Sequence, residues 1–234
     1  MLEGSMSRDL ASVYSERYRK QSPIHLYPVE FVVRTFLGTY PGLKMDRESY
    51  SGSRIIDLGY GDGRNMPLLW NLGFEIFGVE IHDEICHSAA ARLRKLGIEA
   101  NLSVGTNARI PFADHFFQYA LACHSFYYVA EGSHFGDNLR EIERVMTPGG
   151  TFVLSLPMSD GYLLRNAEWL EDGHVRIKYD PYGLRVGTVL RVFATSEEIV
   201  RTFAPGFEDM QIGRTDDDYW GVHQRMWIVV CRRR

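Results

Sequence analysis

Three glycines at alternate positions, Gly59, Gly61 and Gly63, sit in the stretch IIDLGYGDGRNMPLL, directly after an apolar run and directly before a helix-like one. Glycine takes up positive φ and lets backbone approach a ligand with no Cβ in the way. The stretch therefore suits a ligand cradle at a strand-to-helix turn, or a plain tight turn. Acidic neighbours decide what such a cradle would hold. Asp57 stands two residues before the first glycine and Asp62 within the loop, and together they repel an anionic phosphate. The dinucleotide spacing GxGxxG, counted from Gly59, requires glycine at position 64, where this chain has Arg64. A nicotinamide cofactor is disfavoured; a ligand with a cationic group beside Asp57 fits better. Glu80 then closes the next strand-like run, where a carboxylate can accept from both hydroxyls of a ribose.

A second chemical stretch is CHSFYYV, from Cys123 to Val129. His124 is its candidate general base, because an unperturbed imidazole titrates near neutrality; the other reading has it hydrogen-bond only to backbone or substrate. Tyr127 and Tyr128 either line a pocket or pack under the following helix. His134, His174 and His223 lie in segments that could rim the same pocket. His82, Asp83, Glu84 and His87 hint at a metal, but histidines five residues apart share a helical face poorly. They read as a solvated helix start, and no metal is expected.

These residues need a frame. Arg54–Gly59, Phe74–Ile81, Glu99–Gly105, Phe117–Cys123 and Thr151–Leu156 read as five strands. Between them, Asn65–Asn71, Asp83–Leu96 (with Asp83 as cap and Gly97 as stop) and Phe135–Met146 read as helices. Thr147–Gly150 is the turn into strand five. Such β-α alternation with short connections gives a parallel sheet flanked by helices. After Pro157 the rhythm changes. Val175–Tyr179 and Thr188–Phe193 bracket DPYGLRVG as a hairpin inserted above the sheet, a helix runs from Thr195 or Ser196 to Phe203, and Phe207–Arg214 with Arg225–Arg232 form an antiparallel edge pair. Val13–Leu37 reads as two helices broken around Pro23 and Pro28.

Composition narrows the partners. The 234 residues carry a formal net charge of −4, with 45% hydrophobic and 24% charged residues, which suits one sizeable globular α/β domain or at most two small ones and gives no electrostatic reason to expect nucleic acid as the main partner. Three dispersed cysteines form no CxxC pair, so neither a disulfide framework nor a zinc site is expected, and a cytoplasmic setting is. No run of the sequence has the length of a membrane span. Met1–Ser5, ahead of a second methionine at Met6, read as a cloning remnant.

Taken in order, DLGYGDGRN, GFEIFGVEIHDE, VGTNARIPFADHFFQYALACHSFYYV and LREIERVMTPGGTFVLSLP resemble class I S-adenosylmethionine-dependent methyltransferases, above all the bacterial group acting on small molecules (the methyltransferase type 11 kind). The resemblance runs from about Arg54 to Pro157. It implies a Rossmann-like, doubly wound seven-stranded sheet in the order 3-2-1-4-5-7-6 with strand 7 antiparallel. One domain would span residues 6–234, with an N-terminal helical cap over 6–50 and a substrate-side insert over 158–194. The implied cofactor is S-adenosylmethionine, with S-adenosylhomocysteine as product. Gly59, Tyr60, Gly61 and Gly63 would follow its methionine part, Asp57 would orient the loop and the amino group, and Glu80 would hold the ribose. Ile81 would lie on the adenine face, and Thr106, Asn107 and Ala108 would read the adenine edge. Cys123 and His124 would sit beside the reactive methyl.

Two departures stand out: Thr106 replaces a frequent Asp, and Tyr60 a small residue or Cys. The acceptor would meet Tyr18, His124, Tyr127, Tyr128 and His174, with Tyr14, Tyr162, Trp169, Tyr179 and Tyr182 nearby. The Asn/Asp-Pro-Pro-Tyr signature of nucleobase and amide methylation is absent, which favours a hydroxyl, carboxylate or simple amine. LYPVEFVVR resembles the N-terminus of methyltransferases near sugar-modification pathways, so a sugar-like acceptor is one expectation. The chain would act as monomer or homodimer, without nucleic acid or membrane. An aminopropyltransferase on the same fold and a non-catalytic S-adenosylmethionine-binding protein are the rival readings.

Overall fold

The structure, a computed structural model, describes Val13, Tyr14, Glu16 and residues 26–234. Tyr18 lies outside the described residues, as does most of the expected first helix. Ile55, Ile56 and Leu58 of β1 (Arg54–Leu58) are wholly buried, the burial on both faces that a central parallel strand requires. Around it lie β2 (Glu75–Glu80), β3 (Ala100–Val104), β4 (Phe117–Ala122), β6 (Met146–Pro157), β10 (Phe207–Tyr219) and β11 (Val222–Arg233), after a short β5 (Tyr128–Val129) that belongs elsewhere. The sheet order is β3-β2-β1-β4-β6-β11-β10, with β11 antiparallel to both neighbours. This is the expected topology, since β6, β11 and β10 are the fifth, seventh and sixth strands of that order.

Side chains alternate across the sheet into two cores. Ile55 and Ile76 pack under α1 (Glu30–Leu37), α2 (Met66–Asn71) and α3 (Asp83–Lys95), through Phe36, Leu69 and Leu93. Ile56, Leu58 and Phe77 face α4 (Phe135–Val145) and α5 (Ser196–Phe203), through Ile142, Val145 and Phe203. Three local readings change. The cap of α3 is His82, whose side chain accepts from the Glu84 amide, while Asp83 pairs with His87 at 3.1 Å. The Thr147–Gly150 turn is absorbed into the start of β6, as a register shift between Phe117/Met146 and Tyr119/Thr151. The insert is more than a hairpin: β7 (Glu168–Trp169), β8 (His174–Arg176) and β9 (Val189–Arg191) form a four-stranded antiparallel sheet with β5.

That pairing places the insert over the carboxyl ends of the strands. Tyr128 and Val129, just beyond β4, pair with Leu190 and Val189. Asn138 of α4, 1% exposed, locks the same segment, its amide nitrogen donating at 3.0 Å to the carbonyls of both Phe126 and Tyr128. An Asn138→Ala chain leaves two carbonyls without that donor, at a cost of about 2 kcal/mol. Denaturant unfolding should report that loss of stability; an unchanged midpoint would show that the clamp contributes nothing.

Candidate functional site

A cavity of about 480 Å³ opens at the carboxyl ends of β1, β2 and β4, the place where open α/β sheets bind ligands. Its size is that of a small-molecule site. The glycine loop forms one wall. Gly59 has φ +61, and a Cβ there would come within 2.6 Å of the Ser125 Cβ; only glycine lets the loop rest on the segment leaving β4. Tyr60 turns inward and is buried against Gly78 of β2, where an added Cβ would lie 2.5 Å from the ring. The bulky Tyr60 that departs from the family pattern is thus accommodated by a missing side chain across the sheet.

Glu80 orients the loop. It is buried, and its two oxygens accept from the Gly61 and Ile81 amides, each at 2.8 Å. Each carboxylate oxygen has capacity for more than one donor, so both can still accept from a ligand. Burial raises its pKa, with the two amides countering. Asp57 is buried more severely, and neither of its oxygens has a hydrogen-bond partner among the described residues. Asp57, expected to orient the loop, makes no hydrogen bond to it, and the Gly61 amide goes to Glu80 instead. Burial drives the Asp57 pKa well above the ordinary carboxylate value, the Glu80 charge adds to this, and the nearby Asn65 side chain, not aligned for a full hydrogen bond, counters only in part. Asp62 differs again: Arg64 grips it with Nε at 3.0 Å and Nη2 at 2.6 Å. Asp62, paired in this way, repels a phosphate less than its charge alone suggests, and the negative potential at this wall comes from Glu80 and, once it is ionised, Asp57.

Opposite the loop, Thr106 and Arg109 exchange backbone hydrogen bonds at 3.0 Å and present Asn107 and Ala108 to the cavity. The Asn107 amide nitrogen donates to the Ser125 carbonyl at 2.9 Å, which leaves its oxygen as an acceptor. Gly59, Tyr60, Glu80, Ile81, Thr106, Asn107, Ala108, Cys123, His124, Tyr127 and Tyr128 all line the cavity. Asp57, Gly61 and Gly63 lie behind that lining. His174 belongs to β8 outside it, with Nδ1 at 3.1 Å from the Glu171 carbonyl. Trp169, Tyr179 and Tyr182 of the insert are more than half exposed and do not line it either.

His124 has φ +57, and its Nδ1 lies 3.1 Å from Ser155 Oγ, which also accepts from the His124 amide at 2.9 Å. Burial, with the Arg185 and Arg64 charges adding to it, pushes the imidazole down to about 4. At the insert end, Tyr14, Tyr128, Tyr162 and Arg185 close the cavity. Asn65, Ser125 and Arg185 escaped sequence reasoning. Asn65 and Ser125 act on backbone, and Arg185 lies far along the chain in a stretch that reads as a turn. A second hollow, of about 690 Å³, lies between α1 and the β10–β11 pair and shares Val29, His124 and Gln224 with the first. Among the described residues, no helix is long and apolar enough to cross a membrane.

Residues 56–154 match the family model described as a methyltransferase domain. No curated protein matches the chain. Among solved structures, an S-adenosylmethionine-dependent methyltransferase from Methanosarcina mazei is 18% identical with a TM-score of 0.63, covering 83% of this chain and 97% of its own. The 1,6-didemethyltoxoflavin-N1-methyltransferase of Burkholderia thailandensis, solved with 1,6-didemethyltoxoflavin and S-adenosylhomocysteine bound, is 15% identical with a TM-score of 0.58, covering 78% and 72%. The [4+2]-cyclase SpnF is 18% identical with a TM-score of 0.60, covering 95% and 92%. At such identities the structural likeness is one of fold.

The orphaned Asp57 carboxylate makes a measurable demand on the ligand-free protein. Its folded-state pKa is raised, so above the ordinary carboxylate range the folded chain holds a proton that the unfolded chain has released. Stability from this group is complete at low pH and is lost as pH rises toward the folded pKa, at about 1.4 kcal/mol per unit. Asp57→Asn should therefore stabilise the ligand-free protein at pH 7, by roughly 2–4 °C in Tm for each kcal/mol. The gain should vanish near pH 4. Thermal melts across that range test it, and a variant less stable than its parent at pH 7 would contradict it.

Proposed function

We propose that this chain, whose residues 56–154 match the methyltransferase-domain model, is a class I S-adenosylmethionine-dependent enzyme that methylates an oxygen or amine nitrogen of a small molecule held in the 480 Å³ cavity. The observation that carries the reading is the roof. The insert brings Tyr162, Leu163, Arg185 and Thr188 over the end of β4, which suits a small acceptor better than a polymer. The 1,6-didemethyltoxoflavin bound by the Burkholderia enzyme and the chain's net charge of −4 agree with this.

The donor-binding residues fit an adenosyl group with a cationic amino-acid end. Glu80 offers two buried oxygens to a vicinal diol, the Asn107 oxygen can accept from the adenine amine, and Ile81 supplies an apolar surface to the base. The uncompensated Asp57 beneath Gly59 favours a positive group at that wall. S-adenosylmethionine supplies an electrophilic methyl group there. The protein's contribution is then to hold the acceptor's lone pair in line.

His124 contributes as a neutral imidazole. An imidazole lowered from 6.5 to about 4 holds a proton more weakly by about 3 kcal/mol, which makes it a poor general base and a good hydrogen-bonding post. This favours acceptors that need little base assistance, such as an amine, a carboxylate or an acidic hydroxyl. A second reading draws on the cyclase of similar fold: binding of the cofactor without methyl transfer.

Acceptor-dependent formation of S-adenosylhomocysteine, screened over sugars, amines and hydroxy acids, tests the proposal. Cofactor binding without turnover of any of them would favour the second reading. Independently, histidine NMR should find the His124 ring neutral above about pH 5 with a midpoint near 4. A midpoint near 6.5 would restore it as a general base.

A further inference from the structure

The cavity is electrically polarised. Its loop end carries the buried carboxylates of Glu80 and Asp57, while its insert end carries a guanidinium. Arg185, with 18% of its side chain exposed, lines that far end between the tyrosines. Its Nε donates to Tyr128 Oη at 2.9 Å, and its Nη1 reaches Tyr162 Oη at 3.5 Å and Asp180 Oδ2 at 3.3 Å. A guanidinium has five N–H donors. Three are accounted for, and both N–H groups of Nη2 have no partner among the described residues.

Asp180 forms an ion pair with Nη1 at 3.3 Å, which compensates part of this charge and leaves the Nη2 edge open. Its buried carboxylate accepts from the backbone amides of Tyr182 at 3.1 Å, Leu184 at 3.0 Å and Arg185 at 3.0 Å. Three amide donors stabilise a carboxylate in their own right, and the 3.3 Å contact to Nη1 is long for a charge-assisted bond. Asp180 chiefly shapes the turn from 180 to 185 that aims Arg185 at the cavity. Two phenols complete the arrangement. Tyr162 Oη accepts from the guanidinium and so keeps its own proton to donate. Tyr128 is stacked on Tyr127, ring centroids 5.0 Å apart and planes within 21°, which makes a flat wall beside the donors.

We propose that the methyl acceptor carries a carboxylate, which the free Nη2 edge of Arg185 and the hydroxyl of Tyr162 hold at the insert end of the cavity. The carboxylate is the handle and another atom of the same molecule takes the methyl. A planar frame of the hydroxybenzoate kind matches the Tyr127–Tyr128 wall. Guanidinium suits this task because its N–H groups lie in one plane with a carboxylate's two oxygens. The inference rests on the methyl-transfer reading and deepens it.

Its test uses the whole chain saturated with S-adenosylhomocysteine, whose binding is measured first. Failure of that step would overturn the cofactor reading and, with it, the premise that a bound carboxylate is a methyl acceptor, whereas failure of the next step alone would overturn only this inference. Calorimetric titration then compares small aromatic hydroxycarboxylates, such as 4-hydroxybenzoate, with their matching carboxamides. The expected result is a preference of at least tenfold for the carboxylate within a pair. Arg185→Met, which also removes the ion pair to Asp180 and so lowers the melting temperature, should abolish the preference while leaving S-adenosylhomocysteine affinity as it was. Tyr162→Phe, which removes only one hydroxyl, should reduce it several-fold. Equal binding of acid and amide, absence of carboxylate binding across the series, or a preference that survives in Arg185→Met would each overturn the proposal.

Discussion

Two carboxylates buried at the ends of neighbouring parallel strands organise this molecule. Asp57 and Glu80 are the acidic residues at the mouth of β1 and β2, and burial raises the pKa of both. Glu80 meets its cost by taking the Gly61 and Ile81 amides, which fixes how the glycine loop leaves the sheet. The loop then has room only because Gly59 has no Cβ against Ser125 and Gly78 none under Tyr60. Asp57 is left without a partner. A folded protein tolerates such a group where a ligand compensates it, and here the cavity wall formed by Gly59, Asn65 and Cys123 lies alongside.

The rest of the fold positions the other end of the same space. The insert pairs with β5, so the segment after β4 is clamped between Asn138 on one side and Leu190 on the other. His124 begins that segment in a left-handed conformation, fastened by Ser155. Burial keeps this imidazole neutral, and the Arg185 charge that an acidic ligand would meet further discourages a proton on it. Acid at the loop and base at the insert divide the cavity into two chemically different halves.

Much of this was legible in the chain itself. The parallel sheet followed from the β-α rhythm and its strand order from the family resemblance, and the loop and Glu80 were recognisable because glycine spacing and a strand-end acid are local signals. What failed to show in the sequence depends on contacts between distant segments. Gly78 reads as an ordinary strand residue until Tyr60 folds onto it. Arg185 is one basic residue in a turn until Asp180 aims it. The near-neutral titration expected of His124 presupposed a solvated ring, and three-dimensional burial removed that premise. His174, Trp169 and Tyr179 share the insert with Tyr162 and Arg185 but not its inner face, a distinction that composition cannot make. His82 takes the cap expected of Asp83 because its backbone is extended there while Asp83 already begins the helix.

The central claim is that Glu80 and its loop form a receptor for the adenosyl cofactor. Isothermal titration of S-adenosylhomocysteine into the intact chain and into Glu80→Ala tests it most directly. The account predicts saturable binding by the parent and at least a tenfold loss in the variant, about 1.4 kcal/mol or more. Undiminished affinity in Glu80→Ala, or no binding by the parent, would contradict it.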